Sequence, residues 1–167
     1  TIFDENFALG SGGALFIDEV VGDSVIQTTD FINNTAGDNS STTTWGGSIY
    51  VSYVDADATL TIRQSSILDS NLNAGADDAY GAGLYLGEVV GEVLIDSSTF
   101  ARGVFLDSGN PTFGSGLSIG LCTIDLGGTL SVVNSTFDDD ATLDSFSIHA
   151  CGIEDGGVLS VSYSTLV

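Results

Sequence analysis

Two pairs of side chains in this chain could do chemistry together, and both pairs depend on one spacing. Cys122 and Cys151 stand 29 residues apart, and so do Asp125 and Glu154. Thiols brought together could close a disulfide, and paired carboxylates could hold Ca²⁺, whose ligands are oxygens. His149, the one histidine, lies two residues before Cys151. Two cysteines and one histidine fall short of the four ligands of a structural zinc site. Further carboxylates occur as Asp77-Asp78 and as Asp138-Asp139-Asp140, in polar runs where aspartate forms turns. With one histidine in the chain there is no nucleophile–base set, so no catalytic residue is assigned.

The elements that must position these pairs are repeats. Residues 118–137, SIGLCTIDLGGTLSVVNSTF, return without a gap as residues 147–166, SIHACGIEDGGVLSVSYSTL. A second gapless match joins GGALFIDEVVGDSVIQTTDF (12–31) to GAGLYLGEVVGEVLIDSSTF (81–100), and a looser copy starts at Gly46. Glycines at 12, 46, 81 and 114 start the units. Each unit reads as a short apolar strand, a glycine or acidic turn, a second apolar strand, then Ser/Thr and Phe, Ile or Leu. The polar runs TAGDNSSTTTW and SNLNAGADDAY read as surface loops.

Val, Ile, Leu, Thr and Phe suit a pleated surface, and no stretch sustains a helical period. A unit this short cannot bury its own apolar face, so equivalent strands must stack. The sequence therefore predicts an all-β chain, a right-handed parallel β-helix of about five coils of roughly 29–36 residues. Residues 1–167 form one such domain, read here as a processed piece or fragment of a longer chain. Stacked in register, the aligned cysteines would have Cα atoms about 5 Å apart, within disulfide range. Asp125 and Glu154 at a similar spacing would repel by about 0.8 kcal/mol in water, which a bound Ca²⁺ would reverse. Phe16, Tyr50 and Tyr85 fall in one column, readable either as an outward binding row or as an inward stack.

Composition narrows the partners. Twenty-three acidic residues face two arginines, for a formal charge of −21, while 43% of residues are hydrophobic. That surface repels nucleic acid and anionic lipid, and it attracts cations. No apolar run approaches the length of a membrane span. Asn33, Asn39 and Asn134 each head an N-x-[ST] sequon, a glycan acceptor in a secreted chain.

Gly12-Gly13-Ala14-Leu15 fits a GGA[IL] tetrapeptide, while Phe3-Asp4-Glu5-Asn6 and Phe31-Ile32-Asn33-Asn34 fit FxxN. In these motifs the chain resembles the repeats of polymorphic outer membrane proteins and autotransporter-like passengers. Later copies decay, to GGSI at 46, GAGL at 81, GSGL at 114 and ILDS at 67. The resemblance implies a β-helical surface protein with roles in adhesion and display, and it brings no catalytic residues.

The expectation that follows is a non-enzymatic, extracellular or cell-surface structural protein, an acidic rod stacking head to tail into a filament or layer. No cofactor is required, and Ca²⁺ at Asp125 and Glu154 is the metal considered. The partners would be further copies or a neighbouring β-helix of a parent chain. An adhesin-like module for carbohydrate or a cell surface is the first alternative, and a polysaccharide-degrading β-helix enzyme the second.

Overall fold

In the computed structural model the described residues are 1–38, 44–73, 79–105, 114–115, 119–138 and 148–166. Among them there is no helix, and every strand pairing is parallel. The strands form five sheets, numbered here in the order the chain visits them. Sheet 1 holds Ile2–Asp4, Asp30–Ile32, Ser66–Leu68, Thr99–Ala101, Thr136–Asp138 and Thr165–Leu166. Sheet 2 holds Phe7–Ala8, Thr35–Ala36, Asn71–Leu72 and Val104–Phe105, and sheet 3 holds Thr44–Trp45, Ala79–Tyr80 and Gly114–Ser115. Sheet 4 holds Leu15–Val20, Ile49–Val54, Leu84–Val89, Ile119–Ile124 and Ile148–Ile153. Sheet 5 holds Ser24–Gln27, Thr59–Arg63, Glu92–Asp96, Thr129–Val133 and Val158–Ser162. A chain that returns to five parallel sheets in a fixed cyclic order is consistent with a solenoid.

Alternation along each strand explains the interior. In Ile49–Val54 the buried residues are Ile49, Val51 and Val54, and in Thr59–Arg63 they are Leu60 and Ile62. Stacked in register, these residues line one continuous apolar core with Leu84, Leu86, Ile95, Ile119, Leu121 and Val132. Sheet 1 adds a column of Phe3, Phe31, Ile67, Phe100, Phe137 and Leu166. Its rings are stacked with nearly parallel planes, with centroids 4.9 Å apart for Phe3–Phe31 and 5.3 Å for Phe100–Phe137. Phe31, Ile67, Phe100 and Phe137, fully withdrawn from water, contribute about 1.5–3 kcal/mol each.

The corners are set by residues in the left-handed region. Thr28, Gln64, Ser97, Asn134 and Tyr163 share φ near 51° at the bend between sheets 5 and 1. Each precedes a hydroxyl residue, and Thr29, Ser65, Ser98, Ser135 and Ser164 form a row along the stack. Each hydroxyl donates to the carbonyl two residues before it, at 2.9–3.0 Å. Ser65, Ser98, Ser135 and Ser164 also accept the backbone N–H of the preceding coil's row member, at 3.2–3.3 Å. These bonds link residues 36, 33, 37 and 29 apart, so the coils differ in length while the bend stays fixed. The Ser or Thr two residues before each Phe, Ile or Leu of the sheet 1 column is thus a structural hydroxyl. It satisfies buried backbone groups that would otherwise cost free energy.

The tetrapeptides also have physical reasons. Asn34 is buried; its Oδ1 accepts from the Asn6 backbone and side-chain nitrogens at 3.0 and 2.9 Å, and its Nδ2 donates to the Phe3 carbonyl. A Cβ on Gly47 would meet the carbonyl oxygens of Ala82 and Asn71 at 2.3 and 2.6 Å, so only glycine fits that approach of chains.

Two expectations are corrected. The polar runs contain short strands, Thr35–Ala36 with Thr44–Trp45 and Asn71–Leu72 with Ala79–Tyr80, each too brief to leave an alternating pattern. Gly114 does not start the fourth unit in register with Gly81. It pairs with Ala79 while Ile119 pairs with Leu84, so the column runs two residues later. A two-residue slip keeps every side chain on its own face, and alternation cannot detect it.

Candidate functional site

Sheet 4 and its exit turn carry both pairs singled out in the sequence. Register pairs Leu121 with Ala150 and Thr123 with Gly152, which brackets Cys122 and Cys151 at the same level of adjacent strands. The disulfide expected between them is not formed, and both residues are thiols. In parallel strands in register the side chains run side by side, about 4.8 Å apart. A disulfide needs the Cβ atoms to converge to about 3.8 Å.

Around the thiols are three polar groups. His149 Nε2 lies 3.7 Å from Cys151 Sγ, and Thr123 Oγ1 donates to Cys122 Sγ at 3.7 Å. Tyr85 lies on the strand neighbouring Cys122, its phenol within electrostatic reach of both thiols. Burial, then the nearby thiols, push the ionisation of that phenol far up. His149 is half-buried and stacks on Tyr80 with centroids 6.0 Å apart.

The aromatic column lies outside the core. Tyr50 sits between the buried Ile49 and Val51 and projects the other way, next to Phe16 and Tyr85 in register. Centroids are 4.9 Å apart for Phe16–Tyr50 and 5.7 Å for Tyr50–Tyr85, with planes within 19° and 4° of parallel. Trp45 of sheet 3 stacks beside Tyr50 and Tyr85, at 6.0 and 5.7 Å. The rings turn their faces to one another. Tyr85 is consequently 7% exposed, whereas Phe16, at the end of the row, is 55% exposed. Gly120 interrupts the column, and a Cβ there would meet the Gly81 nitrogen at 2.7 Å.

Asp125 and Glu154 follow the last residues of adjacent sheet 4 strands and are brought together. A hydrogen bond with Asp125, then its charge, hold the Glu154 carboxyl above the ordinary carboxylate range. Asp125 Oδ1 also accepts the Leu126 backbone N–H at 2.7 Å. Glu19, Asp55 and Glu88 extend the acidic strip: partial burial and then the charges of Asp55, Glu88, Glu19 and Asp125 raise the Tyr53 phenol. Among the described residues no group of three or more His, Cys, Asp or Glu is arranged around one metal position.

The remaining candidates are spread out. Asn33 and Asn134 are exposed at left-handed corners, and Asn39 lies outside the described residues. Asp77, Asp78, Asp139 and Asp140 also lie outside them, while Asp138 is half-buried at the end of a sheet 1 strand. A groove of about 430 Å³ over the turns between sheets 4 and 5 is lined by Asp57, Thr59, Gly91, Glu92 and Thr129 among others. What sequence reasoning missed is Trp45 and Tyr80, hidden at the ends of polar runs and visible only once sheet 3 folds beside sheet 4. Comparison with protein-family models, with curated proteins and with solved structures gives no match.

Proposed function

We propose that this chain is a structural protein of the extracellular space or cell surface, a right-handed β-helix of about five coils whose acidic rods stack head to tail. The observation that carries this reading is where the apolar surface lies. Large exposed apolar side chains concentrate on the first and last strand of each row: Ile2, Phe7 and Val25 at one end, Ile153, Val161 and Leu166 at the other. Those rows offer unpaired backbone to a further strand.

The two ends match in phase in sheets 4 and 5. With the next copy placed as a sixth coil, its Leu15, Ile17 and Val20 continue the columns ending at Ile148, Ala150 and Ile153, and its Phe31 continues the column ending at Leu166. Its Ile2–Asp4 must give way to Thr165–Leu166, which already fills that place in sheet 1. Val21 of the next copy would meet Glu154, so the junction adds no like charge to the Asp125–Glu154 pair. The Ser164 N–H would find the Thr29 hydroxyl, as each earlier member of that row finds its neighbour. Such a head-to-tail contact does not close on itself and builds a filament. The acidic coat keeps the sides of the rods apart. Ca²⁺, if bound, would be held by Asp125 and Glu154. The resemblance to polymorphic outer membrane protein repeats agrees with surface display. A carbohydrate platform is less favoured, because the aromatic row spends its ring faces on itself.

Electron microscopy of the protein with and without EDTA tests the reading. Filaments with an axial repeat near roughly 24 Å, five coils at about 4.8 Å each, are expected. Loss of the filaments in EDTA would add bridging Ca²⁺. Monodisperse particles in both conditions would sink head-to-tail assembly.

A further inference from the structure

We propose that Cys122 and Cys151 form a two-coordinate site for a soft closed-shell cation, of which Cu⁺ is the physiological example and Ag⁺ the practical probe. The same geometry that disfavours a disulfide suits this ligand. In-register thiols on neighbouring strands are held about 4.8 Å apart. Two metal–thiolate bonds of about 2.3 Å placed in line span roughly 4.6 Å, so the ion fits between the sulfurs with almost no backbone movement. Thiolate is the donor that selects soft ions over Ca²⁺ or Mg²⁺.

Three further features point the same way. Both thiols lie at one level of adjacent sheet 4 strands, within electrostatic reach of the Tyr85 phenol. The flanking ring stack of Tyr85, Tyr50 and Trp45 makes one side of the site apolar. Among the described residues no third His, Cys or carboxylate completes a higher-coordinate set, which argues against zinc and leaves an ion content with two ligands.

The proton balance is explicit. Binding one monovalent cation breaks two S–H bonds, forms two S–metal bonds and releases two protons, leaving one net negative charge on the bis-thiolate unit. Both protons go to solvent. His149 Nε2 lies 3.7 Å from Cys151 Sγ, beside the unit.

The experiment is titration of the reduced full chain with Ag⁺, followed by native mass spectrometry, pH-stat proton release and thiol counting. One ion per chain is expected, with both thiols protected together. Cys151→Ser, at an exposed position that tolerates the change, should weaken binding at least about 100-fold, because in-line binding needs both sulfurs. Cys122→Ser should do the same. His149→Gln should keep one ion per chain and the same release of two protons, because the two sulfurs alone hold the ion. Two ions per chain, or unchanged affinity in either serine variant, would overturn the proposal, since each thiol would then be acting alone.

Discussion

Two columns of rings run along this molecule, one inside it and one outside. In the inner column, Phe3, Phe31, Phe100 and Phe137 of sheet 1 share their places with Ile67 and Leu166. The outer column, Phe16, Tyr50 and Tyr85 of sheet 4, continues as Gly120 and His149 and is covered from the side by Trp45 and Tyr80. Both stack with nearly parallel planes, yet the inner position accepts any large apolar residue because within the stack, from Phe31 to Phe137, the whole side chain is removed from water. The outer position depends on rings, because ring faces are what the neighbours cover. Similar stacking thus serves volume in one place and surface in the other.

The largest effect that could break this contrast is Phe100→Ala. It leaves a cavity at full burial and should cost about 3–5 kcal/mol by chemical denaturation. Tyr85→Ala, which removes a ring stacked on Tyr50 and Trp45, should cost less, about 2–3 kcal/mol. Equal costs would mean that the outer row is a second core.

Smaller changes sharpen the comparison by acting on the backbone beside each row. Ser98→Ala takes the acceptor from the buried Ser65 N–H next to the inner column and should cost about 1–3 kcal/mol. Gly46→Ala forces a Cβ against the Ile49 carbonyl, 2.2 Å away at φ 65°, where the outer column begins. A similar cost of about 1–3 kcal/mol is expected there. Fluorescence separates the two, because Trp45 is the one tryptophan and lies in the outer row. Its native emission should shift in Gly46→Ala and stay constant in Ser98→Ala.

The smallest effects are electrostatic. Arg102 grips Asp69 through Nε and an Nη nitrogen at 2.7 Å each, on a largely exposed surface. Arg102→Ala should cost about 0.2–1 kcal/mol, and less at high salt. The pH dependences have opposite signs. The hydrogen bond from Arg102 lowers the Asp69 pKa, so its contribution is present above the unfolded value and is lost as pH falls through the folded one. The hydrogen bond and charge of Asp125 raise the Glu154 pKa, so its contribution is full below the unfolded value and is lost as pH rises through the folded one. Melting curves should show Asp69→Asn flattening the acid side and Glu154→Gln flattening the side just above the ordinary glutamate range. Each shift should be about a degree or two in Tm.

The legible part of this protein was its columns. Gapless matches at 29 residues placed Cys122 beside Cys151 and Asp125 beside Glu154, and the register agrees at Leu121–Ala150 and Ile124–Ile153. Those matches are readable because every coil must present the same inward residues to its neighbours, so packing writes one period into the chain. The side on which Phe16, Tyr50 and Tyr85 lie was not readable, since residues on both faces of that strand are apolar. Neither was the start of the fourth unit beyond Gly114, since a two-residue slip conserves alternation. Whether aligned thiols join was also left to three dimensions. The sequence can bring Cys122 and Cys151 to one level, but only the parallel course of two strands keeps their sulfurs side by side. Sequence decides which residues meet, because meeting follows the period; tertiary structure decides what they do there, because that depends on directions and distances no period encodes.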